Sequence, residues 1–453
     1  MKTTYSLKLS TTQMVMLSFF SAVLIGSILL ALPVSSATGE AVPYIDALFT
    51  ATTSVCVTGL VTMPTVSTWS IFGQIIILLL IQIGGLGIIT IMFGFMIGLH
   101  RKIGLGDRML IQDAFNLNTL SGLVKFVKKV LFGTFVVEGI GALLYMTVFV
   151  PEFGTKGIWI SIFNSISAFC NAGIDIISED SLCAYTLNPI INITTCLLII
   201  LSGIGYVVWW DCIQVLKKFK HQKWKCFSSL TLHSKIALST TGILIIAGTF
   251  LFFIFEYNNP LTLSEYSLTD KLQASFFQSV TTRTAGFATI PQQNLTNASA
   301  IFSLLLMFIG GSPVGTAGGV KTVTIVVLAA SAFATIRNKE DVVLFHRTIP
   351  KQAISKAVAV TSVSFMVMFT STILLATVTD ANALDIVYET MSATATVGLT
   401  RNLTSSLNVW GKIIIIATMY LGRVGPISLL LAFNTQKEKK NIIKNPIEEI
   451  SIG

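Results

Sequence analysis

Charge is scarce in this chain: Asp, Glu, Lys and Arg make up 11% of 453 residues, while 53% are hydrophobic. A water-soluble globule of that length needs a larger polar shell, so most of the chain belongs in a bilayer. Cysteine is sparse too. Cys56, Cys170, Cys183, Cys196, Cys212 and Cys226 show no metal-ligand spacing and mostly sit in apolar surroundings, so they read as small hydrophobes, and no disulfide is predicted. The four histidines, His100, His221, His233 and His346, are isolated from one another. No HExxH, no Walker-type phosphate loop and no nucleophile motif occurs, which argues against an enzyme and leaves no catalytic residue to name. A dinucleotide fingerprint after a soluble strand is absent as well, so no organic cofactor is expected and any nucleotide control would reside in another chain.

What the chain has in abundance is long apolar stretches. Uncharged runs long enough for a hydrocarbon core of about 30 Å lie at 14–32, 72–98, 189–210, 236–255 and 357–379, with 413–433 interrupted by Arg423. Two further segments are less clean, 131–150 with a lone Glu138 and 297–336 with GGSPVGTAGGVKT at its centre. The prediction is eight membrane segments, with both termini on one side. Of the 30 basic residues, 23 fall before the first span, in 99–129, 217–235 and 337–356, or in the tail. The opposite face is assigned Lys156, Lys271, Arg283, Arg401 and Lys412. The positive-inside bias makes both termini cytoplasmic, and the net charge of +9 then reflects topology and anionic lipid rather than nucleic acid. The basic start, apolar run and SSATGEA imitate a secretory signal, but the run is too long for a signal core.

A repeat underlies the spans. Gly59, Gly173, Gly286 and Gly398 stand in similar settings, separated by 114, 113 and 112 residues. Ten positions before each is an aromatic, Phe49, Phe163, Phe276 or Tyr388, and a large apolar residue follows each glycine. Between 24 and 29 residues later come GGLG, SGIG, GGSP and GRVG, which are either packing glycines or a shared architectural mark. Each unit then reads as helix, short pore helix, extended loop, helix. The predicted fold is all-α and membrane-embedded, four parallel units around a central pore with boundaries at 1–110, 111–228, 229–345 and 346–453.

An alkali cation leaving water needs replacement oxygens, and extended backbone carbonyls supply them without fixed charge. Glycine suits such a strand because it accepts unusual backbone angles and adds no side chain to the pore. The residues before the glycines, Val57-Thr58, Asn171-Ala172, Thr284-Ala285 and Thr396-Val397, are small or β-branched and suit a close-packed strand. Asp46, Asp270 and Asp385 lie near the starts of three short helices, where a carboxylate caps or favours the dipole.

The four loops in register, the glycine-rich break and GRVGP at 422–426 together resemble the Ktr/Trk/HKT superfamily of cation transporters, and among them the Ktr-type membrane subunit. The likeness covers essentially the whole chain. It implies a selectivity filter at Gly59, Gly173, Gly286 and Gly398, with glycine rather than serine at the first position pointing to K+. It also implies a movable gate in the break, comprising Gly310, Gly311, Ser312, Pro313, Gly315, Gly318, Gly319 and Lys321, with Arg423 facing the pore beneath the filter. Further implications are a bacterial plasma-membrane location, a homodimer, and a cytosolic KtrA-type (RCK) octameric ring docked on the basic loops. K+ is the transported ion, with Na+ as a possible activator.

Some alternatives stay open at this level. The break loses helix propensity around Pro313 and is either a gate or a static kink. Arg423 and Glu138 are costly in a span unless partnered, and they keep a Na+- or H+-coupled symporter in view. Lys321 is expected to snorkel toward the cytosolic interface.

Overall fold

The computed structural model describes residues 11–99, 104, 108, 122–217 and 226–425. Lys218, Lys220 and the basic tail lie outside them, as does most of the first basic loop. Among the described residues the regular structure is helical, apart from one antiparallel pair of two-residue strands, β1 (Val343–Leu344) and β2 (Arg347–Thr348).

Four long helices are unbroken: α1 (Thr11–Leu30), α5 (Leu123–Phe153), α9 (Leu232–Glu256) and α13 (Lys351–Val378). Each is long and apolar enough to cross a membrane. A shorter helix follows each of them: α2 (Tyr44–Cys56), α6 (Thr155–Cys170), α10 (Leu268–Thr281) and α14 (Ala383–Ala395). Thirteen to sixteen residues span only part of the apolar layer at 1.5 Å per residue.

Two of the remaining apolar segments depart from the expectation of continuous spans, and a third breaks where the glycine-rich stretch predicts. α3 (Ile71–Leu86) turns by 98° into α4 (Ile88–Gly98), and α7 (Pro189–Gly203) by 96° into α8 (Tyr206–Lys217). α11 (Asn297–Phe308) and α12 (Thr322–Ile336) are separated by non-helical chain, while α15 (Val409–Val424) stops at Gly425. The breaks fall on GGLG, SGIG, GGSP and GRVG. Gly87, Gly205 and Gly425 there adopt φ of 82°, 89° and 87°, so these glycines turn the chain as well as pack it.

Local chemistry starts the second helices. Ser70, Asn188, Thr296 and Asn408 each accept a first-turn N–H, from Gly73, Ile190 and Ile191, Ser299, and Gly411 respectively. Asp46, Asp270 and Asp385 all lie in the first turns of their short helices, as the dipole argument expects, and two of them also reach across the fold. Asp46 accepts from Lys412 Nζ at 2.5 Å and Asp385 from Arg401 Nε at 2.7 Å, tying short helices to distant loops. Asp270 accepts locally from Ser267 Oγ at 2.6 Å, and Asp385 also accepts from Asn382 Nδ2 at 3.5 Å.

Packing concentrates around the short helices, whose C-terminal halves are almost wholly buried while the long helices turn Leu, Ile and Phe outward. In an apolar solvent such faces need no cover. Phe49, Phe163, Phe277 and Tyr388 are fully buried. The third aromatic is thus Phe277, not Phe276, which is only half-buried.

Candidate functional site

The C-terminal ends of the four short helices meet. At each, the residue two before the glycine is in the left-handed region, with φ of 54° at Val57, 58° at Asn171, 68° at Thr284 and 51° at Thr396. That conformation costs a non-glycine residue about 1–2 kcal/mol. Local hydrogen bonds offset it at three junctions: Thr58 N donates to Thr53 O at 2.9 Å, Ala172 N to Ser167 O at 2.8 Å, and Val397 N to Ser392 O at 2.8 Å. The glycines follow at φ of 99°, 63°, 84° and 95°.

Hydroxyls inside the short helices hold the strands from behind. Thr53 Oγ1 and Ser392 Oγ accept from the N–H groups of Gly59 and Gly398, each at 3.0 Å. Ser167 Oγ and Thr281 Oγ1 instead donate to the carbonyls of Ile174 and Phe287.

The four glycines form a closed ring in chain order. A methyl built on Gly59 would lie 2.6 Å from the Ala172 carbonyl oxygen, one on Gly173 2.7 Å from that of Ala285, and one on Gly286 2.6 Å from that of Val397. On Gly398 it would overlap the carbonyl oxygen of Thr58. Each missing side chain therefore faces the next strand's carbonyl, and no larger residue fits without displacing it. The hydroxyls of Thr58, Thr284 and Thr396 are buried at this ring with no protein partner. Above it a funnel of about 250 Å³ is lined by all four glycines and by Asp175, Glu179 and Asp180. Asp175 accepts from Ile177 N, and its burial pushes the carboxyl up to about 6.

On the other side of the ring lies the unwound segment between α11 and α12. Its neck is closed by backbone bonds, Gly310 N to Val320 O at 3.0 Å, Val320 N to Phe308 O at 3.1 Å and Thr322 N to Gly311 O at 3.0 Å, with Ser312 Oγ and Thr322 Oγ1 2.9 Å apart. Its tip reaches the other breaks. Ser312 N donates to Gly203 O, and Tyr206 N to Val314 O, while Gly315 packs on Ser202 and Gly205. Pro313 caps Gly205 by close approach of its carbonyl, and Gly318 lies against Thr396 Oγ1. Asn171 Nδ2 donates to Thr316 Oγ1 at 3.1 Å, linking the tip to the second glycine strand.

Arg423 donates to Thr316 O at 2.7 Å and to Gly84 O at 2.5 Å, so two main-chain carbonyls partner the charge that is costly in a span. Lys321 differs from expectation: Nζ folds back onto Ala317 O at 2.5 Å instead of extending away. Among the described residues Glu138 pairs with no cation. It accepts from Gln82 Nε2 at 3.2 and 3.3 Å, beside Cys170. Gly319, at φ 66°, packs on Gly310 in the neck.

Two residues escape a sequence reading. Arg283, assigned above to the face opposite the termini, is 7% exposed and directs its guanidinium at Gly310 O and Thr241 Oγ1. Glu389, one residue after Tyr388, is fully buried and accepts from Thr400 Oγ1 at 2.6 Å and Thr404 Oγ1 at 2.5 Å. Only the adjacency of Arg283 to Thr284 signals its place.

Residues 2–445 match the family described as TrkH, cation transport protein. The chain belongs to that family. It is a multi-pass plasma-membrane cation transporter and not an enzyme. It is 39% identical to the potassium/sodium uptake protein NtpJ of Enterococcus hirae, over 98% of both chains. It is also 39% identical to the Ktr system potassium uptake protein B of Bacillus subtilis, covering 97% of this chain and 96% of that one. The crystal structure of the potassium transporter TrkH from Vibrio parahaemolyticus superposes with a TM-score of 0.75 at 16% identity, over 96% of this chain and 87% of the other, a likeness of fold.

Proposed function

We propose that this protein takes up K+ through the glycine ring, which acts as a selectivity filter formed by Val57-Thr58-Gly59, Asn171-Ala172-Gly173, Thr284-Ala285-Gly286 and Thr396-Val397-Gly398. The observation that carries the reading is the cyclic apposition of each glycine with the preceding carbonyl of the next strand. A dehydrated cation on that axis meets carbonyl oxygens from four sides, with the unpaired threonine hydroxyls as further ligands. The acidic funnel is the outer mouth, where Asp175, Glu179 and Asp180 raise the local cation concentration.

The segment 310–322 is the gate, closed by Arg423 on Thr316 O. The units 1–110, 111–228, 229–345 and 346–453 are the quarters of one pore, and both termini face the cytosol. A homodimer on a KtrA-type ring is the assembly in keeping with relatives named as parts of a Ktr system. The name of the Enterococcus relative makes Na+ a second ion to examine. A pore is preferred to coupled symport because Glu138 is held by Gln82 and is not among the residues that line the funnel above the glycine ring.

The test is the reversal potential of purified protein in liposomes with opposed K+ and Na+ gradients. A passive K+ pore follows the K+ gradient alone. A potential that shifts with the Na+ or proton gradient at fixed K+ establishes coupling and rejects the pore.

A further inference from the structure

The third junction differs from the other three in backbone and in side chain. Thr53, Ser167 and Ser392, the hydroxyls that hold the first, second and fourth strands, each stand six residues before their glycine, whereas Thr281 stands five before Gly286. The buried aromatic shifts by the same amount, from ten residues before the glycine to nine at Phe277. One residue is therefore missing between helix and strand. Ala285 N accordingly donates to Thr281 O, four residues back, where the equivalent donors elsewhere reach five back.

At this shortened link the position three before the glycine is Arg283, against Cys56, Cys170 and Ala395 in the other strands. Its guanidinium is buried, and among the described residues no carboxylate pairs with it. Nη2 lies 3.4 Å from Gly310 O and 3.4 Å from Thr241 Oγ1 of α9, while Nε has no partner. A buried charge with so few acceptors is expensive, so its remaining carbonyl contact carries unusual weight. That carbonyl belongs to the neck of the unwound segment, whereas Arg423 holds the tip.

From this we infer that Arg283 is a positioning residue for ion selection, clamping the neck at Gly310 to the third glycine strand through the adjacent Thr284. The inference rests on the filter reading above. It divides the segment into a neck that belongs to the filter and a tip that belongs to the gate. Opening moves residues 313–318 and leaves Gly310 and Val320 in place. Selectivity is then independent of gate position but dependent on a residue that does not line the ring.

Four proteins separate the two roles in K+/Na+ bi-ionic liposome measurements: the parent, a deletion of 314–317, Arg283→Gln, and the two changes combined. The deletion raises flux and keeps the parent's permeability ratio. Arg283→Gln lowers the K+/Na+ ratio about tenfold, with or without the tip, an effect that a gate blocker or a folding defect would not produce. Thr241→Val lowers it in the same direction by less, and serves if Arg283→Gln does not fold. Arg283→Lys recovers part of the ratio, because an ammonium still reaches Gly310 O. An unchanged ratio in Arg283→Gln, or in Thr241→Val should that be the only folded variant, overturns the clamp. A ratio lost on tip deletion alone overturns the division into neck and tip. A parent without K+-selective flux instead rejects the filter reading beneath both.

Discussion

Arg423 and Thr316, 107 residues apart in sequence, are joined by a hydrogen bond of 2.7 Å from a guanidinium to a main-chain carbonyl. Charge-assisted bonds of this kind contribute about 1.5–3 kcal/mol, enough to hold a weakly helical segment in one arrangement. Arg423→Ala, or deletion of residues 314–317, is therefore expected to raise K+ flux about tenfold without a regulatory partner. Uptake in cells lacking their own K+ transporters reads this out. Two folded variants that conduct no more than the parent would make the segment a static kink.

Gly59 tests the ring itself. At φ 99°, with its open side against Ala172 O, it accepts no side chain without moving a neighbouring carbonyl. Gly59→Ser is expected to lower the K+/Na+ permeability ratio about tenfold while membrane abundance falls less than twofold. Bi-ionic potentials measure the first and quantitative blotting the second; an unaltered ratio removes Gly59 from the filter.

Acid should weaken the mouth. The Asp175 carboxyl is raised from its ordinary value of 3.8 to about 6 by burial, so it is charged at pH 7.5 and largely neutral at pH 5. Protonation removes negative potential from the funnel, and inward flux at low K+ should fall by about twofold across that range. Asp175→Asn should start at the lower flux and lose most of the pH response. A full pH response in that variant would assign the effect to another group.

The proposed assembly docks a cytosolic ring on the basic loops. Reversing the charges of Lys217, Lys218 and Lys220 should reduce copurification with a KtrA-type partner about tenfold at physiological salt, and raised salt should mimic it in the parent. Normal assembly moves the docking face elsewhere.

Hydropathy and glycine spacing made the membrane class, the long helices and the four special glycines legible in advance. The bends were not, because GGLG and SGIG satisfy a packing motif and a helix break equally well, and only φ at Gly87 and Gly205 separates them. Aligning the strands on their glycines hid the shortened third junction. With two adjacent phenylalanines, either Phe276 or Phe277 fills the aromatic position, and burial chooses the second. Arg283 was misassigned for a related reason: a lone charge after a short helix looks interfacial until the fold buries that end. Asp46 and Asp385 sit where caps belong, but their partners Lys412 and Arg401 come from other loops.

The shortened third junction also bears on how such a pore can change over time. In a homotetramer, deleting one residue beside the ion path alters four places at once, and any strain is multiplied by four. Here one polypeptide supplies all four strands, so a single quarter can be one residue shorter than the others and carry a cation while the ring of glycines stays closed. A single chain thus leaves each quarter free to take a separate task, and the least symmetric place in the ring is where a specialised role should be sought.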